Sequence, residues 1–138
     1  MNTPSDIHKA AGIIIKDRKL LVEKSFNKEF FKSPGGSIEP GETPKQALVR
    51  ELKEEFRIKV LETDLEDFGT FCHPAAGHDH KMVCMEVFMV NKWQGEIIPD
   101  HEVQQVFWLT SVIPPGMKVG SIFEHEVIPS LKQQNLID

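Results

Sequence analysis

The chain has 138 residues but no tyrosine, only two cysteines, and 16 basic residues against 21 acidic ones. No apolar run approaches the roughly 18 residues a membrane-spanning helix needs, so no membrane span is expected. Two cysteines make no disulfide framework, which fits a reducing cytoplasm. The N-terminal stretch MNTPSDIHKA lacks a basic segment followed by an apolar one, so no signal peptide is expected. A net charge of −5 with no basic tract argues against duplex nucleic acid as the main partner. The absence of tyrosine removes one common base-stacking residue and excludes no ligand class.

What is present describes a folded chain. Hydrophobic residues make up 40% and charged residues 27%, the balance of a globular protein, and the length suits one domain over residues 1–138. Ala11 to Ile15 and Lys19 to Val22 read as a hairpin turning at Lys16-Asp17-Arg18. Residues 33–44, SPGGSIEPGETP, hold three glycines and three prolines, a loop whose backbone is shaped deliberately. Thr43, Pro44 and Gln46 form a capping box with proline at the first helical position, which predicts a helix from Pro44 to about Phe56. Beyond it, Ile58 to Leu61, Asp67 to Cys72, Val83 to Asn91 and Val106 to Thr110 read as strands, with a turn at Trp93-Gln94-Gly95. Ser121 and Glu124 suggest a second capping box opening a C-terminal helix that Pro129 must kink or divide. Phe123, Val127, Ile128 and Leu131 of that helix are available for burial. The order of elements predicts an α+β fold, a mixed or antiparallel sheet packed between helices.

On the first helix, Leu48, Val49, Leu52 and Phe56 share an arc of about 100° that reads as the core face. Ala47, Arg50, Glu51, Glu54 and Glu55 fill the other side, so three carboxylates crowd one strip with an arginine at its edge. A plain solvated face would avoid two local costs. Glu54 and Glu55 lie in the last turn, where the helix dipole disfavours anions. Arg50 precedes Glu54 in the poorer order for an i, i+4 pair. A hard divalent cation would relieve the repulsion: Mg²⁺ takes oxygen ligands and completes its shell with water and substrate phosphates. The glycine loop can bring carbonyls and amides close to both.

The same residues resemble the Nudix box, G-x5-E-x7-R-E-U-x-E-E-x-G-U with U aliphatic. Gly36, Glu42, Arg50-Glu51-Leu52, Glu54-Glu55 and Ile58 fill its fixed positions across residues 36–58, and only the last glycine departs, as Arg57. The resemblance implies an α/β/α sandwich with a mixed β-sheet, and an enzyme that uses Mg²⁺ or Mn²⁺ to hydrolyse a pyrophosphate bond. By position, Glu54 and Glu55 would bind metal with a carbonyl of Gly35 or Gly36, and Glu51 would be a ligand or the base. Arg50 would orient these carboxylates, with Glu42 supporting Arg50 and the loop. MutT-type members add a base or ligand from a loop before a late strand, here Glu102 six residues before Trp108, and a basic residue near phosphate, here Lys24. Arg57 supplies no metal oxygen; its departure bears on the helix end, where a left-handed residue is needed.

The favoured substrate is a nucleoside triphosphate, ordinary or oxidised, giving a monophosphate and pyrophosphate. The alternatives are ADP-ribose or a nucleoside diphosphate sugar, or a nucleotide-binding module without catalysis. Pro74, 16 residues after Ile58, resembles a marker of ADP-ribose enzymes. A homodimer is compatible with the resemblance. Cys72, His73, His78, His80 and Cys84 cluster without the C-x2-C spacing of structural zinc, so they read as a histidine-rich loop between strands that end in small buried cysteines.

Overall fold

The computed structural model describes residues 6–75 and 80–138. Seven strands and two helices are β1 (Ile7–Ile13), β2 (Ile15–Lys16), β3 (Lys19–Ser25), β4 (Gly35–Ser37), α1 (Pro44–Phe56), β5 (Leu65–Pro74), β6 (Met82–Val90), β7 (Val103–Leu109) and α2 (Ile128–Gln133). A 3-10 turn at Glu62–Asp64 and a π turn at Phe123–Val127 complete them.

The strands form two sheets. One is mixed, in the order β4-β1-β6-β5, with β1 and β6 parallel and the other pairs antiparallel. The other is antiparallel, in the order β2-β3-β7. The predicted hairpin is therefore divided. Its turn forms between β2 and β3, where Asp17 and Arg18 both take positive φ, as a tight two-residue hairpin requires. The residues before it belong to β1 in the other sheet. Ile14 links the two, its carbonyl accepting from Leu21 N at 2.9 Å.

Both faces of the central strands are covered, which explains their nearly continuous apolar runs. Ala11, Ile13, Leu20 and Val22 join the buried cluster that includes Phe123, Val127, Ile128 and Leu131 of the C-terminal helical segment. Ala10 and Leu21, alternate residues of the same strands, and the linking Ile14 join Leu48, Leu52 and Phe56 of α1. The arrangement is the expected α/β/α sandwich. On α1 the burial is rotated slightly from the expected arc: Ala47 and Glu55 are buried, while Val49 is only half-buried.

Three local expectations are corrected. Residues 58–61 make no strand, only a bridge between Lys59 and Gln94, so the apolar Ile58 and Val60 are buried by α1's cluster rather than by a sheet. Ser121 caps nothing; its hydroxyl lies 3.1 Å from Nδ1 of His73 instead. The C-terminal helix is divided beside Pro129, as expected: a π turn, in which Ile128 N donates to the carbonyl of Phe123, precedes α2. Cys72 and Cys84 sit opposite each other in the β5–β6 register and are joined by a disulfide, with Cys72 exposed and only Cys84 buried. His78 of the histidine-rich loop lies outside the described residues. Among the described residues, no helix is long and apolar enough to cross a membrane.

Candidate active site

The helix that carries the carboxylates is fixed at both ends. Thr43 accepts from Gln46 N at 3.1 Å while the Gln46 side chain accepts from Thr43 N at 3.0 Å, closing the predicted box. At the other end Arg57 is left-handed, φ 58°, and its N–H reaches the carbonyl of Lys53. Its side chain donates to Asp100 at 2.9 Å. The segment that carries Asp100 also occupies two of the helix's orphan carbonyls: Ile98 N donates to Phe56 O and Asp100 N to Glu55 O. This capping segment runs directly into Glu102, which it delivers to the cavity.

Arg50 gathers the strip. Its Nε and Nη2 grip Glu42 as a fork at 2.7 and 3.0 Å, and Nη1 donates to Glu51 at 2.9 Å and to Glu54 at 3.4 Å. Nη2 also donates to the carbonyl of Ser37 at 3.1 Å, tying the helix to β4. The guanidinium beside Glu42 holds that carboxyl down at about 2. Glu51 is pushed the other way, first by burial and then by the charge of Glu55.

The glycines place the loop against these groups. Gly35 has φ 131°, and a Cβ there would fall 2.1 Å from the carbonyl oxygen of Ala10. A Cβ on Gly36 would lie 2.7 Å from the carboxyl carbon of Glu51. Only glycine lets the backbone approach so closely at either position. Gly35 N donates to Glu55 at 2.9 Å, and Glu55 is buried.

Gly35, Gly36, Glu51, Glu55 and Glu102 line one cavity of about 600 Å³, together with Lys9, Lys28 and Lys32. Glu54 lies at the exposed edge of the strip, its side chain 45% accessible. Lys24 is elsewhere: it donates to Gln104 at 2.6 Å and does not line this cavity. Strand alternation explains the difference, since Lys24 and the cavity-lining Ser25 face opposite sides of β3. A second cavity of about 680 Å³, bounded by Phe68, Phe71 and Trp93, shares no lining residue with the first and carries none of the expected site residues.

Two site residues were not anticipated. Glu23 is fully buried, and its carboxyl is enclosed by the Lys32 ammonium and Glu55. Burial and the neighbouring Glu55 push its carboxyl up to about 9. Lys32 lies 3.0 Å from Glu23 and 3.2 Å from Glu55, and the two acids together hold its ammonium protonated against the pull of burial. The one sequence signal for the pair was a glutamate interrupting the buried run Leu20-Leu21-Val22; its partner depends on tertiary placement.

The donor set suits a hard divalent cation. Carboxylates and glycine carbonyls supply oxygen only, and burial and the charge of Glu55 push Glu51 up despite its hydrogen bond from Arg50, a penalty a bound cation would relieve. Among the described residues, no three acidic, histidine or cysteine side chains are already drawn together as a metal cluster.

A carboxylate strip clamped by one arginine, facing lysines across a cavity in an α/β/α sandwich, equips an enzyme to act on phosphoric anhydrides. The NUDIX domain family model matches residues 6–112, and the chain belongs to the Nudix hydrolase family. An 8-oxo-dGTP diphosphatase from Haemophilus influenzae is 36% identical over 108 residues, covering 75% of each chain. An ADP-ribose pyrophosphatase from Methanocaldococcus jannaschii is 53% identical over a shorter stretch of 47 residues, 32% of this chain and 28% of that one. The crystal structure of a MutT NUDIX hydrolase from Burkholderia pseudomallei superposes with a TM-score of 0.72 at 16% identity, over 94% of this chain and 97% of that one.

Proposed function

We propose that this Nudix pyrophosphohydrolase cleaves a nucleoside triphosphate, ordinary or oxidised, into a monophosphate and pyrophosphate. The observation that carries the reading is the Arg50 clamp, which holds Glu42, Glu51 and Glu54 in one strip beside the Gly36 backbone. The likeness to an 8-oxo-dGTP diphosphatase over three quarters of both chains favours a triphosphate.

Glu51, Glu54, Glu55 and a carbonyl of Gly35 or Gly36 would hold the divalent cation, Mg²⁺ or Mn²⁺. When bound, that ion neutralises phosphate charge and lowers the pKa of a coordinated water. The chain's own groups do the rest. Arg50 fixes the carboxylates, so they need not reorganise as charge develops. The proton of the attacking water passes to Glu51 or to Glu102, both on the cavity wall. Water adds to phosphorus as the bridging P–O bond breaks, and pyrophosphate leaves. We place the enzyme in the cytoplasm, where such substrates are found.

A panel of nucleoside triphosphates, 8-oxo-dGTP, ADP-ribose and nucleotide sugars, assayed with Mg²⁺, Mn²⁺ or chelator, tests this. Metal-dependent release of pyrophosphate that collapses in Glu54→Gln is the expected result. ADP-ribose is the second reading, favoured by the short local likeness and by Pro74 on the cavity wall. It would yield two monophosphates and no pyrophosphate. Binding without turnover on every substrate would instead identify a nucleotide-binding module.

A further inference from the structure

The Lys32 ammonium is surrounded by oxygen. It donates to the carbonyl of Gly35 at 2.8 Å and of Ser33 at 3.4 Å, and it lies 3.2 Å from Glu55 and 3.0 Å from Glu23. Gly35 and Glu55 are groups that the proposed reading gives to the divalent cation, and the present inference rests on that reading. An ammonium and a divalent ion cannot hold the same two oxygens, because like charges repel strongly at contact distance in a partly buried site.

Glu23 offers the ammonium somewhere else to go. It is fully buried, and its Oε1 already lies 3.0 Å from the ammonium, closer than Glu55 at 3.2 Å. The backbone keeps the two residues together: Glu23 N donates to Lys32 O at 2.8 Å and Lys32 N to Glu23 O at 2.7 Å. A small rotation of the lysine chain would therefore give up Glu55 and Gly35 while keeping Glu23, without moving either strand.

We infer that Lys32 is the resident cation of the acidic strip, standing on Glu55 and Gly35 until a divalent ion displaces it, and that Glu23 is the position to which it withdraws. Lys32 is thus a positioning residue that keeps Glu55 and the glycine loop ordered in the metal-free protein. Glu23 is the acceptor that makes its displacement inexpensive.

The test is Mn²⁺ affinity without nucleotide, measured by electron paramagnetic resonance and calorimetry, on variants checked for native circular dichroism. Lys32→Met removes the competitor and is expected to bind Mn²⁺ about tenfold more tightly, as when a tenfold excess of the blocked state is abolished. Lys28→Met removes the same charge from the cavity wall with no contact to Glu55, and its affinity is expected to stay within about twofold of wild type. Glu23→Gln leaves the ammonium only a neutral amide oxygen in place of an ionisable carboxyl and is expected to weaken binding. The double variant Glu23→Gln/Lys32→Met is expected to match Lys32→Met, because without the lysine nothing needs to withdraw.

An unchanged or weaker affinity in Lys32→Met, or an equal gain in Lys28→Met, would overturn the inference. So would a loss in Glu23→Gln that persists in the double variant, which would make Glu23 itself a ligand. If Lys32→Met fails to fold, Lys32→Arg serves: its fork grips Glu55 more firmly and should weaken Mn²⁺ binding, and no change there would count against the inference. Wild-type protein that binds no Mn²⁺ would overturn the reading of the site, and this inference with it.

Discussion

Gly35 and Gly36 are adjacent and need to be glycine for different reasons. At Gly35 the obstacle to a side chain is backbone, the Ala10 carbonyl, and φ is positive. Gly35→Ala should therefore damage the fold, visible as a lowered melting temperature. At Gly36 the obstacle is the carboxylate of Glu51, the far end of a flexible side chain. Gly36→Ala should leave the melting temperature nearly unchanged yet cut kcat/KM by about a hundredfold, since a misplacement near 1 Å is enough for that. Glu42 gives the pH dependence at this scale. Its carboxyl falls from an ordinary 4.5 to about 2 because Arg50 binds the charged form. A depressed pKa contributes stability that is present above 4.5 and lost as pH falls through about 2. Melting curves of wild type and Glu42→Gln in chelator should differ by a constant amount above that upper value and converge toward the lower one.

Helix α1 was legible because its start is written locally. Thr43, Pro44 and Gln46 are neighbours in sequence, and all three act as expected. Thr43→Ala should cost about 1 kcal/mol by chemical denaturation. Ser121 and Glu124 have the same spelling but no such role, because His73 from β5 takes the hydroxyl and Pro129 imposes a π turn. Ser121→Ala should then cost clearly less than Thr43→Ala. The helix end was half legible. Arg57 does adopt the left-handed conformation that glycine fills in the family pattern, and its tie to Asp100 could not be seen from the box alone. Arg57→Gly should relieve about 1 kcal/mol of backbone strain, less the small worth of an exposed ion pair, for a net gain in stability. Residues 58–61 misled because an apolar run looks alike whether a sheet or a helix buries it. Lys24 and Lys32 mark the same boundary: the sequence offers several lysines near the loop, and strand direction decides which one enters the cavity.

Across the whole molecule, two apolar layers clasp the sheets, and residues far apart in sequence complete each layer. Ile137 is fully buried in the layer opposite α1. Arg18, at the turn between β2 and β3, donates to Asp138 and to the carbonyl of Asn135. Ile137→Ala should therefore cost about 2–4 kcal/mol, as a core deletion rather than a frayed end would. Strand β1 carries a consequence of its own. It lies between β4 and β6, and its parallel pairing sets Ile7 opposite Val83 and Ile13 opposite Met89. During synthesis, the segment bearing the box leaves the ribosome well before β6 exists to flank β1. Until then the apolar face of α1 lacks much of its cover, because Phe88 and Val90 of that same face come from β6. The carboxylates thus precede the scaffold that aims them, and the nascent chain passes through an interval in which its first helix is amphipathic and exposed.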